Sequence, residues 1–164
     1  MEEFLAIFEE ALGAIREPRL FKTERGYQGA LLVELQQRLR NAAFPGDPII
    51  EQEYQKTIPN HGIAIRPDLI IHVPFERGDT KRREEGNFVA IELKLAATAA
   101  EADEDFESLT LIKEKLGYPL TIFLNLDAAE TYAERCPQRI ASQTVCFAVQ
   151  LKDRVPVVVL KCCG

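Results

Sequence analysis

The chain has 164 residues and a formal net charge of −6, with 46% hydrophobic and 28% charged residues. This profile is typical of a globular domain that needs no disulfide or metal to hold its core, and no apolar run reaches the ~18 residues of a membrane span. The acidic start, MEEFLAIFEE, differs from a signal peptide, so we expect a cytoplasmic protein with no membrane partner.

Two helices are predicted at the start of the chain. Residues 3–16 repeat apolar side chains at helical spacing, and Pro18 ends that pattern. Thr23 is a suitable N-cap for a second helix over residues 24–40.

Strands dominate the chain after residue 48. Strands are predicted over 49–57, 62–73, 87–95, 118–126, 144–151 and 155–161, and helices at about 102–116 and over 127–135. The second and third strands flank a charged segment, which favours a hairpin. We therefore expect one α/β (α+β) domain over 1–164, with a central mixed sheet flanked by helices and a core at about 24–126.

The strand NFVAIELKL carries two charged side chains on one face. Alternation along a strand predicts one apolar face, with Val89, Ile91, Leu93 and Leu95. The opposite face then carries Phe88, Ala90, Glu92 and Lys94. Burying charged groups is costly unless they are paired or bind a metal, so this face predicts either an ion pair at a strand end or a functional site.

Asp68 begins the preceding strand, directly after Pro67. In a hairpin, Asp68 lies across from Glu92 and Lys94, so that two carboxylates and one ammonium converge. Carboxylates at close range favour a shared proton or a bound cation, and oxygen ligands suit Mg²⁺ or Mn²⁺. The sequence therefore predicts a metal site here.

The second helix adds a carboxylate to this region. Glu24 and Gln28 lie in line with the apolar stripe of that helix, so both are expected to point at the sheet. The alternative is that Glu24 is only a first-turn acid favoured by the helix dipole. Glu34 falls to the side of the stripe and is expected to pair with Arg38.

These segments resemble a known family. RPDLII and AIELKL, joined by a hairpin, are similar to the PD-(D/E)XK, or restriction-endonuclease-like, nuclease superfamily. Pro67-Asp68 matches the PD element, and Glu92-Leu93-Lys94 matches the (D/E)XK element. Over residues 24–126 the chain also resembles the GxxExxY group, through Glu24-Arg25-Gly26-Tyr27 and the pattern Ala30–Leu35 that follows.

The resemblance implies a restriction-endonuclease-like core and a nuclease that uses Mg²⁺ or Mn²⁺ to hydrolyse phosphodiesters, with DNA rather than RNA as substrate. Asp68, Glu92 and the backbone carbonyl of Leu93 would hold the metal, and Glu24 would join them directly or through water. Lys94 would orient the attacking water or offset charge in the transition state. Two sites cutting two strands would explain a homodimer or higher homo-oligomer, joined by the C-terminal strand.

Other polar residues have competing interpretations. Gln28 and Arg66 are candidates for substrate contact, although Arg66 could equally pair with Glu51 or Glu53. His72 is expected to be structural, because it lies about 13 Å along the strand from Asp68.

Two charged runs are more easily explained as solvated surface. Lys81-Arg82-Arg83 could grip a phosphate backbone, but the neighbouring acids favour a solvated loop. The acidic run over 101–107 is typical of a helix N-terminus.

Two rival functions stay open. The fold could serve as a non-catalytic binding or regulatory module, which the acidic charge favours because it argues against coating nucleic acid. It could also be a nuclease subunit that needs a separate DNA-recognition partner, since 164 residues leave little room for a specificity domain.

Overall fold

The computed structural model describes residues 1–52, 65–74 and 83–163. Within these residues the α-helices are α1 (Glu2–Ala14), α2 (Glu24–Asn41) and α3 (Ala99–Leu116). The strands are β1 (Ile49–Gln52), β2 (Leu69–His72), β3 (Asn87–Leu95), β4 (Leu120–Leu126), β5 (Thr144–Lys152) and β6 (Val155–Cys162).

The strands form one sheet in the order of the chain, from β1 to β6. β3, β4 and β5 pair in parallel, and the remaining neighbours pair antiparallel. Parallel neighbours need a crossover connection, and α3 supplies the one between β3 and β4. The predicted fold class, a mixed sheet flanked by helices, is confirmed. In the described part of the chain, no helix has the length and apolar character to span a membrane.

Helices cover both faces of the sheet. One face packs on α1 and α2, through a core of Phe4, Leu12, Tyr27, Leu31, Ile91 and Leu93. The other face packs on α3, through a second core of Ala90, Phe106, Leu109 and Phe123. β4 is buried along its whole length, as expected of a central parallel strand. The odd and even residues of β3 therefore face different helical layers.

Helix α2 begins as the sequence predicts. Thr23 Oγ1 accepts a hydrogen bond from the N–H of Gly26, which is the expected N-cap contact. The helix predicted over 127–135 is wrong, because that segment contains only a 3-10 turn, Ala133–Arg135. Asp127 and Tyr132 both have positive φ angles there, and an α-helix cannot continue through them.

The second strand is shorter than predicted where the structure describes it, and the first begins at the predicted residue but is described only to Gln52. The predicted strand 49–57 corresponds to Ile49–Gln52, and the predicted strand 62–73 corresponds to Leu69–His72. Residues 53–64 lie outside the described residues, as do Lys81 and Arg82 of the basic run.

A β-bulge changes the face on which Phe88 lies. Ile71 pairs with Val89 while His72 pairs with Asn87, so Phe88 has no partner in β2. Its ring packs on Phe4, with 5.3 Å between the ring centroids, and therefore lies on the side of α1 and α2. The prediction that Phe88 shares a face with Glu92 and Lys94 is wrong, because regular alternation stops at the bulge.

Candidate functional site

The β2–β3 hairpin brings Asp68 to Glu92. The strands are antiparallel with Leu69 opposite Ile91, and this register continues to set Asp68 opposite Glu92. Asp68 Oδ2 accepts a hydrogen bond of 2.8 Å from the backbone N–H of Leu93. The predicted hairpin and the predicted meeting of these two carboxyl groups are therefore present in the structure.

Glu92 is buried beside another carboxyl group. Its residue is only 8% exposed. Burial raises the pKa of Glu92 well above its ordinary value, and the negative charge of Asp68 raises it further. The pKa of Asp68 is also raised, chiefly by burial, although the hydrogen bond from Leu93 opposes that shift. Two such groups favour a shared proton or a cation between them.

Helix α2 holds the ends of both strands. Gln28 is buried, and its Nε2 donates a hydrogen bond of 2.6 Å to the backbone carbonyl of Asp68. Glu24 Oε1 accepts a hydrogen bond of 3.0 Å from the N–H of Leu95, at the end of β3. Both side chains thus point at the sheet, as the helical spacing predicts.

The predicted flank pair of α2 is also present. Glu34 forms an ion pair with Arg38 one turn later on the helix. Glu34 therefore lies apart from the residues that hold Asp68.

Lys94 faces α3 and meets Asp105. Its Nζ lies 3.8 Å from Asp105 Oδ1, and the two side chains are 30% and 14% exposed. Burial lowers the pKa of Lys94, but the charges of Asp105, Glu24 and Asp68 outweigh it and the net shift is upward. Lys94 is therefore a cation surrounded by carboxylates.

Asp105 also belongs to this group of charged residues, although its place in the acidic run over 101–107 did not predict that. Burial raises the pKa of its carboxyl to about 6, although the charge of Lys94 lowers it. Its Oδ2 is buried without a hydrogen-bond partner. Helical spacing was the available signal, because Asp105 lies three residues after buried Ala102 and four before buried Leu109.

The other acids of the run over 101–107 support the helix itself. Thr98 and Glu101 form a capping box at the start of α3. Asp103 binds Arg135 through both carboxylate oxygens. The prediction of an acidic helix N-terminus therefore holds for Glu101 but leaves Asp105 unexplained.

The oxygen atoms at this site could supply only part of the coordination shell of a small divalent cation. Among the described residues, no group of three or more His, Cys, Asp or Glu side chains is arranged to hold a metal ion. Mg²⁺, however, is commonly bound by one or two carboxylates, with water or phosphate completing the shell. Asp68 and Glu92 supply two carboxylates at one point, and the Leu93 carbonyl lies beside them in the chain.

Two further candidates lie outside this cluster. His72 Nε2 lies 2.6 Å from Glu51 Oε2, across β1 and β2, which supports a structural role for His72. Arg66 is exposed, two residues before Asp68. Glu51, one of the two partners expected for Arg66, also contacts His72, and the other, Glu53, lies outside the described residues, so the predicted pairing of Arg66 stays a prediction.

Comparison with known proteins gives one likeness of fold. No family model matches the chain, and no curated protein matches it in sequence. The chain is similar to the solved structure of Pyrococcus furiosus SfsA in complex with Ca²⁺, with a TM-score of 0.40 and 11% sequence identity. The match covers 83% of this chain and 62% of SfsA, so this chain spans less than two thirds of that protein. A likeness at this level carries no argument about activity, and the chemistry of the site rests on its own residues.

Proposed function

We propose that this protein is a metal-dependent nuclease that hydrolyses phosphodiester bonds, in DNA rather than RNA. The observation that carries the proposal is the meeting of Asp68 and buried Glu92 at the open end of the β2–β3 hairpin, with the ammonium of Lys94 on the same strand. Burying two carboxylates side by side lowers stability, so a cation at this point is the simplest reason for them.

Each residue has a role in this proposal. Asp68, Glu92 and the backbone carbonyl of Leu93 would hold Mg²⁺ or Mn²⁺, and Glu24 would contribute directly or through water. The cation, when bound, would lower the pKa of water and offset phosphate charge. Gln28 fixes the backbone of Asp68, and Lys94 brings a positive charge to the position where phosphate charge develops.

A few nearby basic side chains would bind the substrate, because the chain as a whole carries a net charge of −6. Arg66 is exposed beside Pro67 and lies two residues before Asp68 in the sequence. We assign Arg66 to substrate contact. Gln28 was a second candidate for that role, but its burial and its bond to the Asp68 carbonyl favour positioning instead.

A homodimer is the second part of the proposal, and β6 supports it. β6 is an edge strand whose residues, VPVVVLKC, are apolar except for Lys161. Cys163 donates its N–H to the carbonyl of Thr144 in β5, so by alternation the N–H groups of Val158 and Leu160 point away from the sheet. An exposed edge of this kind pairs readily with a second copy of itself, which would give two sites for two DNA strands.

Calorimetry with Mg²⁺ or Mn²⁺ tests the metal site. Asp68→Asn keeps an oxygen to accept the Leu93 N–H but removes the charge, so metal binding by the wild type should disappear in the variant. Cleavage of double-stranded DNA, single-stranded DNA and RNA by the wild type then identifies the substrate. A wild type that binds no metal at millimolar concentration and cleaves nothing contradicts the proposal.

A non-catalytic binding or regulatory module is the alternative. It is favoured by the absence, among the described residues, of three side chains arranged around one cation position. In this case Asp68, Glu92, Lys94 and Asp105 form a structural ion cluster. Nucleic-acid binding without cleavage, unaffected by metal or by Asp68→Asn, would support this alternative.

A further inference from the structure

The ammonium of Lys94 lies at the end of a flexible side chain and needs a further contact to hold it in place. Four rotatable bonds separate its ammonium from the backbone of β3, and the side chain is still 30% exposed. A charge that acts on a reacting group must be held in place, because a displacement of ~1 Å can cost about 10²-fold in rate. Strand β3 alone fixes only the start of the Lys94 side chain.

Asp105 supplies a fixed point opposite Lys94. Its Oδ1 lies 3.8 Å from the Lys94 Nζ, and the Asp105 side chain is only 14% exposed. Phe106, the next residue, packs its ring on Phe123 of β4, with 5.1 Å between centroids. The first two turns of α3 are thereby held against the sheet.

The turn that joins β3 to α3 is fixed independently. Asn125 Oδ1 accepts the N–H of Ala97 at 2.9 Å, and the hydroxyl of Tyr132 donates to the carbonyl of Ala97 at 2.8 Å. Both backbone polar groups of Ala97 are therefore bound by side chains from β4 and the segment after it. The spacing between Lys94 and Asp105 is set by this arrangement rather than by the ion pair itself.

We propose that Asp105 is a positioning residue of the site, whose carboxylate holds the ammonium of Lys94 over the carboxyl pair of Asp68 and Glu92. This inference rests on the proposed nuclease function and extends it to a residue on a different helix. Asp105 acts through Lys94 and is not itself assigned contact with substrate or metal.

Stability alone is a poor explanation for Asp105. A buried carboxylate beside three others lowers stability, and Oδ2 gains no hydrogen bond in return. Ion pairs near a protein surface contribute little to stability. A group that is retained in spite of such a cost is typical of functional sites.

The test compares Asp105→Asn with Glu107→Gln. Glu107 is an exposed acid on the same helix, and each variant replaces a carboxylate by its isosteric amide. The assay uses Mg²⁺ and the DNA substrate that the wild type cleaves. Under these conditions Asp105→Asn should lower kcat by about 10²-fold while KM changes by less than about twofold. Asp105→Glu, which restores the charge, should recover most of kcat, and Glu107→Gln should match the wild type.

A second measurement follows the mobility of the Lys94 side chain directly and does not depend on cleavage. NMR order parameters of the Lys94 side chain should fall in Asp105→Asn and stay unchanged in Glu107→Gln. Unchanged order of Lys94 in Asp105→Asn overturns the inference, and so does an unchanged kcat. A wild type that cleaves nothing removes the proposed function alone, and the order of Lys94 then decides whether Asp105 holds it. If Asp105→Asn loses cooperative unfolding, Asp105→Ser takes its place in both measurements.

Discussion

Asp68 and Leu93 are joined side chain to backbone, with Asp68 Oδ2 accepting the Leu93 N–H at 2.8 Å. Asp68 precedes β2 and Leu93 lies within β3, so the bond extends the hairpin by one contact beyond the paired strands. It also fixes the carboxyl of Asp68 beside Glu92, the residue before Leu93. The hydrogen bonding of the hairpin therefore sets the geometry of the candidate site.

Lys94→Ala should abolish cleavage while preserving the fold and metal binding. The Lys94 ammonium is partly exposed and, within the described parts of the chain, forms an ion pair with Asp105. Its loss leaves Asp105, which is only 14% exposed, without this counter-charge, so the free energy of unfolding should fall by about 1–3 kcal/mol while the protein stays folded. Cleavage assays, calorimetry and urea unfolding check the three parts. Full activity in Lys94→Ala would show that Lys94 has no role in the reaction.

Gln28→Leu should weaken metal binding, although Gln28 is not itself a proposed metal ligand. The substitution leaves the Asp68 carbonyl without its donor, which costs about 1–3 kcal/mol of stability when the group stays buried. Loss of such a supporting contact commonly lowers metal affinity by about 10–100-fold. Calorimetry with Mn²⁺ and urea unfolding measure both effects. Gln37→Leu, at an exposed position of α2, is the control, and equal behaviour of the two variants would contradict the role of Gln28.

The Asp105 carboxyl should make the protein less stable as pH rises. Burial raises its pKa to about 6, whereas an unfolded chain has a pKa of about 3.9 for Asp. Between these values the folded protein binds more protons than the unfolded chain, so stability is lost as the pH rises through that window. Asp105→Asn removes this loss.

Urea unfolding of the wild type and of Asp105→Asn from about pH 4 to about pH 7 measures the effect as the difference between their free energies of unfolding. The free energy of unfolding of Asp105→Asn relative to the wild type should rise with pH by at most about 3 kcal/mol and then stay constant. A difference between Asp105→Asn and the wild type that stays constant with pH would mean that burial does not raise the pKa of Asp105.

Leu160→Lys should convert a dimer into a monomer. Leu160 is 38% exposed on edge strand β6, and a charge there opposes pairing with a second strand. Sedimentation or light scattering measures the mass of wild type and variant. Leu111→Lys is the control, because Leu111 is 42% exposed on α3, away from that edge. A monomeric wild type would contradict the proposed β6 contact.

The sequence predicted the parts of the site that depend on strand alternation and helical spacing. Asp68 and Glu92 meet because two apolar strands with a clear period flank a charged segment. Gln28 and Glu24 point at the sheet because they continue the buried stripe of α2. Their roles in catalysis and metal binding stay predictions.

What could not be predicted depends on tertiary contacts. Phe88 changes face because a bulge breaks the alternation of β3, and no local pattern marks that bulge. Asp105 differs from neighbouring acids only in that α3 turns it toward Lys94. The segment 127–135 has the composition of a helix, but Asp127 and Tyr132 adopt positive φ angles that only the surrounding fold can stabilise.

The four carboxylates of the candidate site come from four separate parts of the chain: Glu24 from α2, Asp68 from the residue before β2, Glu92 from β3 and Asp105 from α3. A chain still on the ribosome has its early residues exposed to the cell long before residue 105 is made, and non-local contacts of this kind form late. Under the proposed function, a nascent or partly unfolded copy would therefore lack activity. For the proposed nuclease, activity and complete folding would arrive together.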